Sequence, residues 1–361
     1  MIQNIKQKFS FGLIIPAILL TLVGLLSIYS SSISRGDFSL FKKQIIWIIF
    51  SLVIFFLVSL LDLRFLKNNS KIILAAYSVS LMTLLGLLIV APVVRGIKGW
   101  YQIGPFALDP EPLAAIILIL LLSKFFSKRH EELSLFRTII FSALYALVPV
   151  FLIVLQPDLG SALSFIAVWL GIVIFSGVRL KHLLFLGLIF ILVAGFSWQF
   201  LLEDYHKQRI VSFVNPQIDT QGISWSQNQS KIAVGSGGLI GKGFGKGSQT
   251  QRGFLSEPKS DFIFSAIAEE FGFLGSIFIL GLLFCLLYLI TQSAFLAQNN
   301  FLRLYSAGFA FLILAQSFIN IGMCLGLFPV VGIPLPFVSY GGSYLLAFYL
   351  GLGILTSLKR T

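Results

Sequence analysis

Charged residues are scarce in this 361-residue chain: they make up 11% of it, whereas 57% is hydrophobic. A soluble globular domain carries about 25% charged residues, which help to cover the surface that faces water. This chain has too few charges for that. The composition therefore excludes a water-soluble globule and predicts a protein whose surface is largely covered by lipid.

Cysteine and histidine are also rare, with two and three copies. Cys285 and Cys324 fall in apolar segments, where we expect them to pack as small residues rather than to form a disulfide. The histidines lie in three separate polar segments without the spacing of metal ligands. The sequence therefore predicts neither a disulfide framework nor a structural metal centre.

Long apolar runs are what the chain has instead. A membrane-spanning helix needs about 20 apolar residues, because its backbone groups find no water to bond in hydrocarbon. Gln156-Pro157-Asp158 interrupts one long stretch, and we place a helix on each side of it. The sequence predicts an all-α polytopic membrane protein with about ten spans: 11–29, 44–62, 72–91, 113–126, 138–155, 159–177, 182–201, 262–292, 304–328 and 343–357.

Lys and Arg are unevenly distributed among the connections. If the first span is uncleaved and the N-terminus lies inside, 14 of them fall in cytoplasmic segments and 5 in short outer loops. The positive-inside rule then predicts that both termini are cytoplasmic. The net charge of +12 is explained by Lys and Arg residues that set the orientation and bind anionic lipid headgroups. Nucleic acid is therefore not a predicted partner.

Residues 202–260 are the long polar segment between the seventh and eighth spans, and this orientation makes them an extracytoplasmic loop. Lys242 and Lys246 are interleaved there with Gly241, Gly243 and Gly245. Backbone amides and ammonium groups in such a loop would suit a phosphate, although the pattern does not match a Walker A loop. A mobile glycine-rich connector is the alternative interpretation, and composition leaves both open.

Acidic residues number only fourteen, so those at span ends or inside apolar runs stand out. Asp261 opens the eighth run directly after Glu257-Pro258-Lys259-Ser260, where a carboxylate would meet both water and lipid. Partial burial would move its pKa towards the range of a general base. The alternative is an acid that only stabilises a helix N-terminus.

Three further carboxylates have a structural interpretation that requires no catalytic role. Glu269 and Glu270 are adjacent in the eighth run, so we expect one of them to point inward, either for catalysis or for an interhelical hydrogen bond. Asp158 follows Pro157 at the predicted helix break, where capping of the sixth span would explain it.

Irregular backbone is predicted between the last two spans, where prolines and glycines occur from Pro329 to Gly342 without a charged residue. Non-helical backbone at membrane depth must be buried in protein or line a cavity. We therefore expect a re-entrant or cavity-lining segment on the outer side.

Several of these segments, in this order, resemble the SEDS family of cell-wall polymerases (shape, elongation, division and sporulation), and its RodA branch more than its FtsW branch. The resemblance extends over nearly the whole chain, as one SEDS-type membrane domain of residues 1–361. It is carried by Gln156-Pro157-Asp158-Leu159-Gly160, Gln229-Ser230-Lys231-Ile232-Ala233-Val234-Gly235-Ser236-Gly237-Gly238, Gly241-Lys242-Gly243, Ser260-Asp261-Phe262-Ile263-Phe264, Ala268-Glu269-Glu270 and Pro334-Leu335-Pro336-Phe337-Val338-Ser339-Tyr340-Gly341-Gly342-Ser343.

The resemblance implies a ten-helix bundle in the bacterial cytoplasmic (inner) membrane that polymerises lipid II into glycan strands during cell-wall elongation. It implies that Asp261 is the essential catalytic aspartate and that Glu269 and Glu270 are structural or catalytic. It also maps the family's outer-loop tryptophan onto Trp100. With the cationic loop and the matching motifs, the predicted substrate-binding residues are Lys242, Lys246, Glu257, Lys259, Trp100, Lys231, Asp158 and Ser339.

This chain departs from the family pattern before the fourth span. The family usually has Gln-Pro-Ser-Glu with a Lys four residues after the Ser, whereas this chain has Asp109-Pro110-Glu111-Pro112 and Ala115. Gly99 precedes Trp100, where the family usually has Arg, and Ser256 precedes Glu257, where the family usually has Pro. An ion pair at the fourth helix is therefore not expected here.

By the same resemblance, the partner is a class B penicillin-binding protein, a transpeptidase that activates the polymerase. Whether a divalent cation, Mg²⁺ or Mn²⁺, takes part is left open, and no other cofactor is predicted. A flippase or transporter of lipid-linked precursors is the alternative function, because broken helices and buried charges also mark transporters. A division polymerase and a non-catalytic scaffold are the remaining alternatives.

Overall fold

The computed structural model describes residues 11–33, 36–94, 96–104, 106–129, 136–178 and 223–360, with a few single positions between 181 and 213. Within these residues, eight helices are long and apolar enough to cross a membrane. The predicted all-α polytopic membrane fold is confirmed. The predicted span 182–201 and residues 202–222 lie almost wholly outside the described part of the chain.

The described helices are, in chain order, α1 (Phe11–Ile33), α2 (Ser39–Leu60), α3 (Arg64–Asn68), α4 (Ser70–Val90), α5 (Glu111–Lys128), α6 (Phe136–Val154), α7 (Leu159–Ser176), α8 (Ile223–Ser236), α9 (Ser248–Gln251), α10 (Ile263–Phe295), α11 (Asn300–Leu325) and α12 (Gly342–Arg360). A short antiparallel hairpin, β1 (Tyr101–Ile103) and β2 (Phe106–Leu108), pairs Tyr101 with Leu108 before α5.

Helix α5 is the centre of the bundle. It packs against α4, α7, α11 and α12, and 13 of its 18 residues are buried. It carries three charged residues, Glu111, Lys124 and Lys128, which distinguishes it from the eight apolar helices. The predicted fourth span therefore exists as a helix enclosed by protein.

Helix α2 shows the opposite pattern, with four buried residues among its 22. Its apolar side chains face outward: Ile49 and Phe50 are both 58% exposed. Such side chains would be unfavourable in water but are suited to hydrocarbon.

Close helix contacts at the centre depend on small residues, since a Cβ on Gly308 of α11 would lie 2.7 Å from Ile172 of α7.

The predicted break at Gln156-Pro157-Asp158 is confirmed, because α6 ends at Val154 and α7 begins at Leu159. Gln156 donates its side-chain amide to the carbonyl of Leu84 at 2.8 Å, which ties the break to helix α4. Asp158 caps α7 by accepting a hydrogen bond from the backbone N–H of Ser161 at 3.0 Å. The capping interpretation of Asp158 is therefore confirmed.

A second break was not predicted. The run 262–292 corresponds to α10, but Gly272 within it has φ 67° and ψ −158°, outside the helical region. A buried half-helix before Gly272 is followed by a longer, lipid-facing half. With 33 residues, α10 is longer than the ~20 that a bilayer requires, so its first half need not cross hydrocarbon.

The connections gather at two ends of the bundle. One end, which we call the inner end, holds Arg64, Lys67, Asn299 and Leu358. The other, the outer end, holds Asp109, Asp158, Asp261 and Ser339, which lie on the connections at the opposite ends of the same helices. The names of the two ends follow the orientation predicted from the Lys and Arg distribution, which puts Arg64 and Lys67 inside.

Candidate active site

Asp261 lies in a turn at the outer end, immediately before α10. The turn closes with a hydrogen bond from the backbone N–H of Phe262 to the carbonyl of Glu257 at 3.0 Å. The Asp261 side chain is half-buried, so its carboxylate meets both protein and solvent. A Cβ placed on Gly332 would lie 3.9 Å from Asp261 Oδ2, which places the carboxylate beside the irregular segment 329–341.

Asn320 of α11 joins this turn to the irregular segment. Its side-chain amide nitrogen donates to the carbonyl of Asp261 at 3.0 Å and to that of Ile333 at 2.7 Å. Cys324, one helical turn further on, contacts the same Asp261 carbonyl through its thiol at 3.6 Å. An amide within an apolar run was the sequence signal for Asn320, and it was missed.

Ser339 and Tyr340 hold the turn from the other side. The Ser339 hydroxyl donates to the carbonyl of Ser260 at 2.7 Å and accepts from the backbone N–H of Leu335 at 2.8 Å. The backbone N–H of Tyr340 donates to the carbonyl of Lys259 at 2.8 Å. The irregular segment is mostly buried, as predicted, and it packs directly behind Asp261.

Asp158 approaches the same segment from α7. A Cβ on Gly160 would lie 2.5 Å from the carbonyl oxygen of Val331, so the start of α7 is pressed against the segment. Ser161 donates its hydroxyl to Asp158 Oδ2 at 3.1 Å and lies 3.3 Å from the Tyr344 hydroxyl. Asp158 and Asp261 therefore flank residues 331–333 on two sides.

Asp109 and Glu111 bring two more carboxyls to this region. Both are buried, and Asp158 interacts electrostatically with each. Burial raises the pKa of Asp109, which precedes α5, well above its usual value, and Asp158 adds to the shift. The buried carboxylate of Glu111 faces the start of α7, where Asp158 and the Ser161 hydroxyl act on it.

Glu269 is fully buried and saturated with hydrogen bonds. It accepts from Lys242 Nζ at 2.8 Å, from the hydroxyls of Ser248 and Thr250, and from the backbone N–H groups of Gln249 and Thr250. The carboxylate thus binds the first turn of α9 together with residues 237–247, which we call the glycine-rich loop. The charge of Lys242 is therefore neutralised by Glu269. Glu269 lies about 9 Å along α10 from the start of the helix.

Glu270 is also buried, although only one of the two glutamates was expected to point inward. It accepts from the Ser30 hydroxyl of α1 at 2.5 Å and from the Gln251 side chain at 3.1 Å. The expectation was wrong because α1 and the glycine-rich loop cover this part of α10 on different sides. Both glutamates have hydrogen-bonding roles in which they hold neighbouring elements.

The glycine-rich loop closes over the break at Gly272. Before the break, the backbone N–H groups of Lys242 and Gly243 donate to the carbonyls of Glu269 and Glu270, both at 3.0 Å. After the break, the N–H groups of Phe273 and Leu274 donate to carbonyls of Gly238 and Leu239. The loop is therefore an ordered clamp rather than a mobile connector, and the Lys242 and Gly243 amides are not available to a phosphate.

The remaining predicted substrate-binding residues lie on separate elements of the outer end. Lys246 is exposed at the tip of the loop, and Lys231 is exposed on α8, where its stem packs over Gly326. Glu257 and Lys259 are half-buried in the turn that ends at Asp261. Trp100 is half-buried before β1, on the hairpin side of the bundle.

Metal coordination by protein groups alone finds no support in the described part of the chain, which brings no three His, Cys, Asp or Glu side chains into a metal-binding group. Mg²⁺ or Mn²⁺ would need ligands from a bound substrate as well. Cys285 and Cys324 are both free thiols.

Proteins with known names and structures are similar to this chain over nearly its whole length. Peptidoglycan glycosyltransferase MrdB of Escherichia coli (strain K12) is 34% identical over 350 residues, which cover 95% of this chain and 92% of that protein. The rod shape determining protein RodA of Thermus thermophilus has a solved structure that is 29% identical, with a TM-score of 0.71 and coverage of 98% and 97%. A chain from a structure described as a peptidoglycan synthase complex that coordinates polymerization and crosslinking is 28% identical, with a TM-score of 0.83 and coverage of 98% of both chains.

The profile of the family that comprises FtsW, RodA and SpoVE, described as "Cell cycle protein", matches residues 11–361. This match includes every motif on which the predicted resemblance rests, and that prediction is confirmed. The chain belongs to the FtsW/RodA/SpoVE family of cell cycle proteins.

Proposed function

We propose that this chain is a peptidoglycan glycosyltransferase of the bacterial cytoplasmic membrane, which polymerises lipid II into glycan strands with Asp261 as general base. The single observation that carries the proposal is the position of Asp261. Its half-buried carboxylate stands at the outer end, in a turn held from behind by Asn320, Ser339 and Tyr340. The glycosyltransferase relative MrdB supports the reaction class.

The reaction joins two lipid-linked disaccharides. The 4-hydroxyl of the acceptor sugar attacks the anomeric carbon of the donor, a new C–O bond forms, and the bond from that carbon to the diphosphate oxygen breaks. Asp261 takes the hydroxyl proton, and undecaprenyl diphosphate leaves with the electron pair of the broken bond. Attack opposite the leaving group inverts the anomeric centre. A half-buried carboxylate in a turn at the outer end suits this task, since a general base must come within hydrogen-bond reach of the hydroxyl that it deprotonates.

Cations at the outer end would stabilise the charge that grows on the departing diphosphate. Lys246 is exposed and Lys259 lies two residues before Asp261, so we assign them this contact, with Lys231 as a third cation on α8. Lys242 would act differently, because its ammonium is paired with Glu269. Its contribution is to position the loop that presents Lys246.

Further roles in substrate binding are assigned by location. Glu257 begins the turn that carries Asp261, and Trp100 presents an aromatic face near the hairpin, a surface on which sugar rings commonly stack. Asp158 caps the start of α7, against which the irregular segment packs, and Ser339 ties that segment to the Asp261 turn. We further propose that residues 1–361 act as one membrane domain, with 202–260 as its extracytoplasmic loop.

Replacement of Asp261 by Asn tests the proposal. The variant keeps the shape of the side chain and the backbone hydrogen bonds of the turn, but it cannot accept the proton, so we expect no glycan polymer from lipid II. Asp37→Asn is the matched control, because Asp37 is an exposed carboxylate near Lys259 whose hydrogen bonds are local, to Ser39. Normal polymerisation by a well-folded Asp261→Asn variant would remove the assignment.

Transport of lipid-linked precursors is the alternative that the same assay separates. In detergent there are no two sides between which to transport, so polymer made from lipid II by purified protein would come from catalysis alone. The clustering of Asp158 and Asp261 at one end, rather than midway along the bundle, favours the polymerase.

Wall elongation is the process we assign, on the likeness to the rod shape determining protein RodA. Division remains the alternative within the family, since its profile also includes FtsW. We propose a class B penicillin-binding protein as the partner, supported by the likeness to a chain from a complex that couples polymerization to crosslinking. A lone chain that polymerises as fast as the complex would contradict this partnership.

A further inference from the structure

A cavity of about 150 Å³ opens at the inner end, on the opposite side of the bundle from Asp261. Three helices form its walls. Its lining residues are Arg64, Lys67 and Asn68 of α3, Asn299 and Phe301 at the start of α11, and Leu358 near the end of α12.

The charge of this cavity is positive. Lys67 has no acidic partner among the residues that the structure describes, and its own carbonyl accepts a hydrogen bond from Lys124 Nζ, which brings a second ammonium close by. Arg64 pairs with Asp62 at 2.6 Å, and both side chains are more than half exposed, so the pair is weak and the guanidinium can exchange Asp62 for another anion at small cost. Arg360 lies near enough to interact with Asp62 as well.

Helix α11 adds to the positive potential. It is 26 residues long and begins at the cavity, so the positive end of its dipole and its first free backbone N–H groups lie there. Asn299 caps one of these groups, the N–H of Leu302, at 2.8 Å. One turn into the helix, the Nε of Arg303 is buried without a hydrogen-bond partner. Phosphate groups are commonly bound where a helix N-terminus meets cationic side chains.

The walls of the cavity are apolar where they meet the bundle. Phe301 and Leu358 are almost completely buried, and both belong to helices that cross the membrane. The predicted orientation puts this end in the cytoplasm, at the level of the lipid headgroups. A ligand with a phosphate on an acyl-chain anchor fits this combination better than a fully soluble anion.

We propose that this cavity binds the phosphodiester of an anionic phospholipid of the cytoplasmic leaflet, with Lys67 and Arg64 as its cationic contacts. The start of α11 supplies the backbone donors, and Asn68 and Asn299 supply side-chain amides at the rim. Occupation of the cavity would join α3, α11 and α12 at the inner end and so stabilise the folded bundle. This site is independent of the reaction proposed at the outer end.

The test compares purified full-length protein with two double variants, using phosphatidylglycerol as the probe and phosphatidylcholine as the zwitterionic reference. Lipid retention is measured by native mass spectrometry, and stabilisation is measured by thermal unfolding. Arg64→Gln with Lys67→Gln removes the cavity cations. Lys71→Gln with Lys359→Gln removes the same charge from exposed lysines at the inner end that do not line the cavity.

The cavity variant should bind phosphatidylglycerol about tenfold more weakly or worse, the loss expected for at least one charge-assisted hydrogen bond. The control variant should change only slightly. Equal weakening in both variants would overturn the proposal in favour of diffuse attraction between a basic surface and lipid. Equal stabilisation by inorganic phosphate would overturn the lipid assignment and leave a site for a free anion.

A charge-retaining variant guards against a folding defect. Arg64→Lys with Lys67→Arg keeps both charges and should retain phosphatidylglycerol to within a few-fold of the unmodified protein. If this variant loses the lipid as fully as the Gln variant, the two side chains do not act through their charge and the proposal fails.

Discussion

Asn320 donates its side-chain amide to the backbone carbonyl of Asp261, at 3.0 Å. The same nitrogen donates to the carbonyl of Ile333 at 2.7 Å, so one buried side chain fixes the distance between the Asp261 turn and the irregular segment. Because this hydrogen bond is to the carbonyl, Asn320 sets where Asp261 stands without neutralising its charge. Asn320 is a positioning residue in the proposed reaction.

Replacing Asn320 by Leu should therefore slow polymerisation without shifting its pH profile. The change leaves the Ile333 carbonyl without its side-chain donor and the Asp261 carbonyl with the weak Cys324 thiol contact, at a cost of about 1–3 kcal/mol in stability. A misplacement of the general base by about 1 Å lowers the rate by up to about a hundredfold. Gln316→Leu is the control, since Gln316 lies one turn away on α11 and donates to Ser164 instead. A rate for Asn320→Leu equal to that of the control would contradict the role.

Gly272→Ala should destabilise the protein by about 2 kcal/mol or more, because the residue has φ 67° and a Cβ there would collide with the backbone nitrogen of Gly241. Gly281→Ala tests the same change further along α10, where no atom lies within 4 Å of the new Cβ. The stability of that variant should rise by up to about 1 kcal/mol, because Ala has a higher helix propensity than Gly. Thermal unfolding of the purified variants measures both, and a similar effect at the two positions would disprove the clamp.

Breaking the Lys242–Glu269 pair should cost more from the glutamate side than from the lysine side. Glu269→Gln removes charge from five hydrogen bonds at a fully buried site, whereas Lys242 is part-exposed and its removal leaves four donors in place. We expect about 3 kcal/mol for Glu269→Gln and about 1 kcal/mol for Lys242→Met. The double variant should cost less than the sum, and strict additivity would show that the pair is not coupled.

Stability should depend on pH through Asp109. Burial raises its pKa in the folded state above the ordinary value of 3.8, so the folded protein holds this proton at pH values where the unfolded chain has lost it. Stability therefore falls as the pH rises from about 4, and it stops falling above the raised pKa. Glu111, Asp158 and Tyr344 are the titratable groups that face Asp109.

Asp109→Asn should flatten this decline in the thermal unfolding temperature between pH 5 and neutrality, an interval set by the direction of the shift. Asp62→Asn is the control, because hydrogen bonds from Arg64 hold the pKa of that exposed carboxyl below its usual value. Asp62 is already ionised throughout the interval and should leave the slope unchanged. An unaltered slope in Asp109→Asn would show that another group titrates there.

The spans and the break at Pro157 were predictable because their causes are local. Apolar runs of membrane length and a proline with polar neighbours act within one segment of the chain. The capping role of Asp158 was predictable for the same reason, since its partner Ser161 lies three residues away.

The clamp around Gly272 was not predictable, because it joins residues that are about thirty positions apart through backbone groups that every residue possesses. The pairing of Lys242 with Glu269 likewise depends on how the loop folds back over α10. A single sequence indicated that both residues are unusual in their surroundings, but not that they meet. The roles of Asp261 and of the predicted substrate-binding residues stay predictions for the assays above.

The turn that carries Asp261 is tethered through main-chain oxygens: Ser339 and Tyr340 hold the carbonyls of Ser260 and Lys259, and Asn320 holds that of Asp261. Because every amino acid has this carbonyl, these hydrogen bonds do not depend on the identity of the side chains in the turn. An amide in place of the Asp261 carboxylate therefore leaves these three main-chain hydrogen bonds in place. A loss of polymer in Asp261→Asn with an unchanged unfolding temperature would report on chemistry rather than on folding.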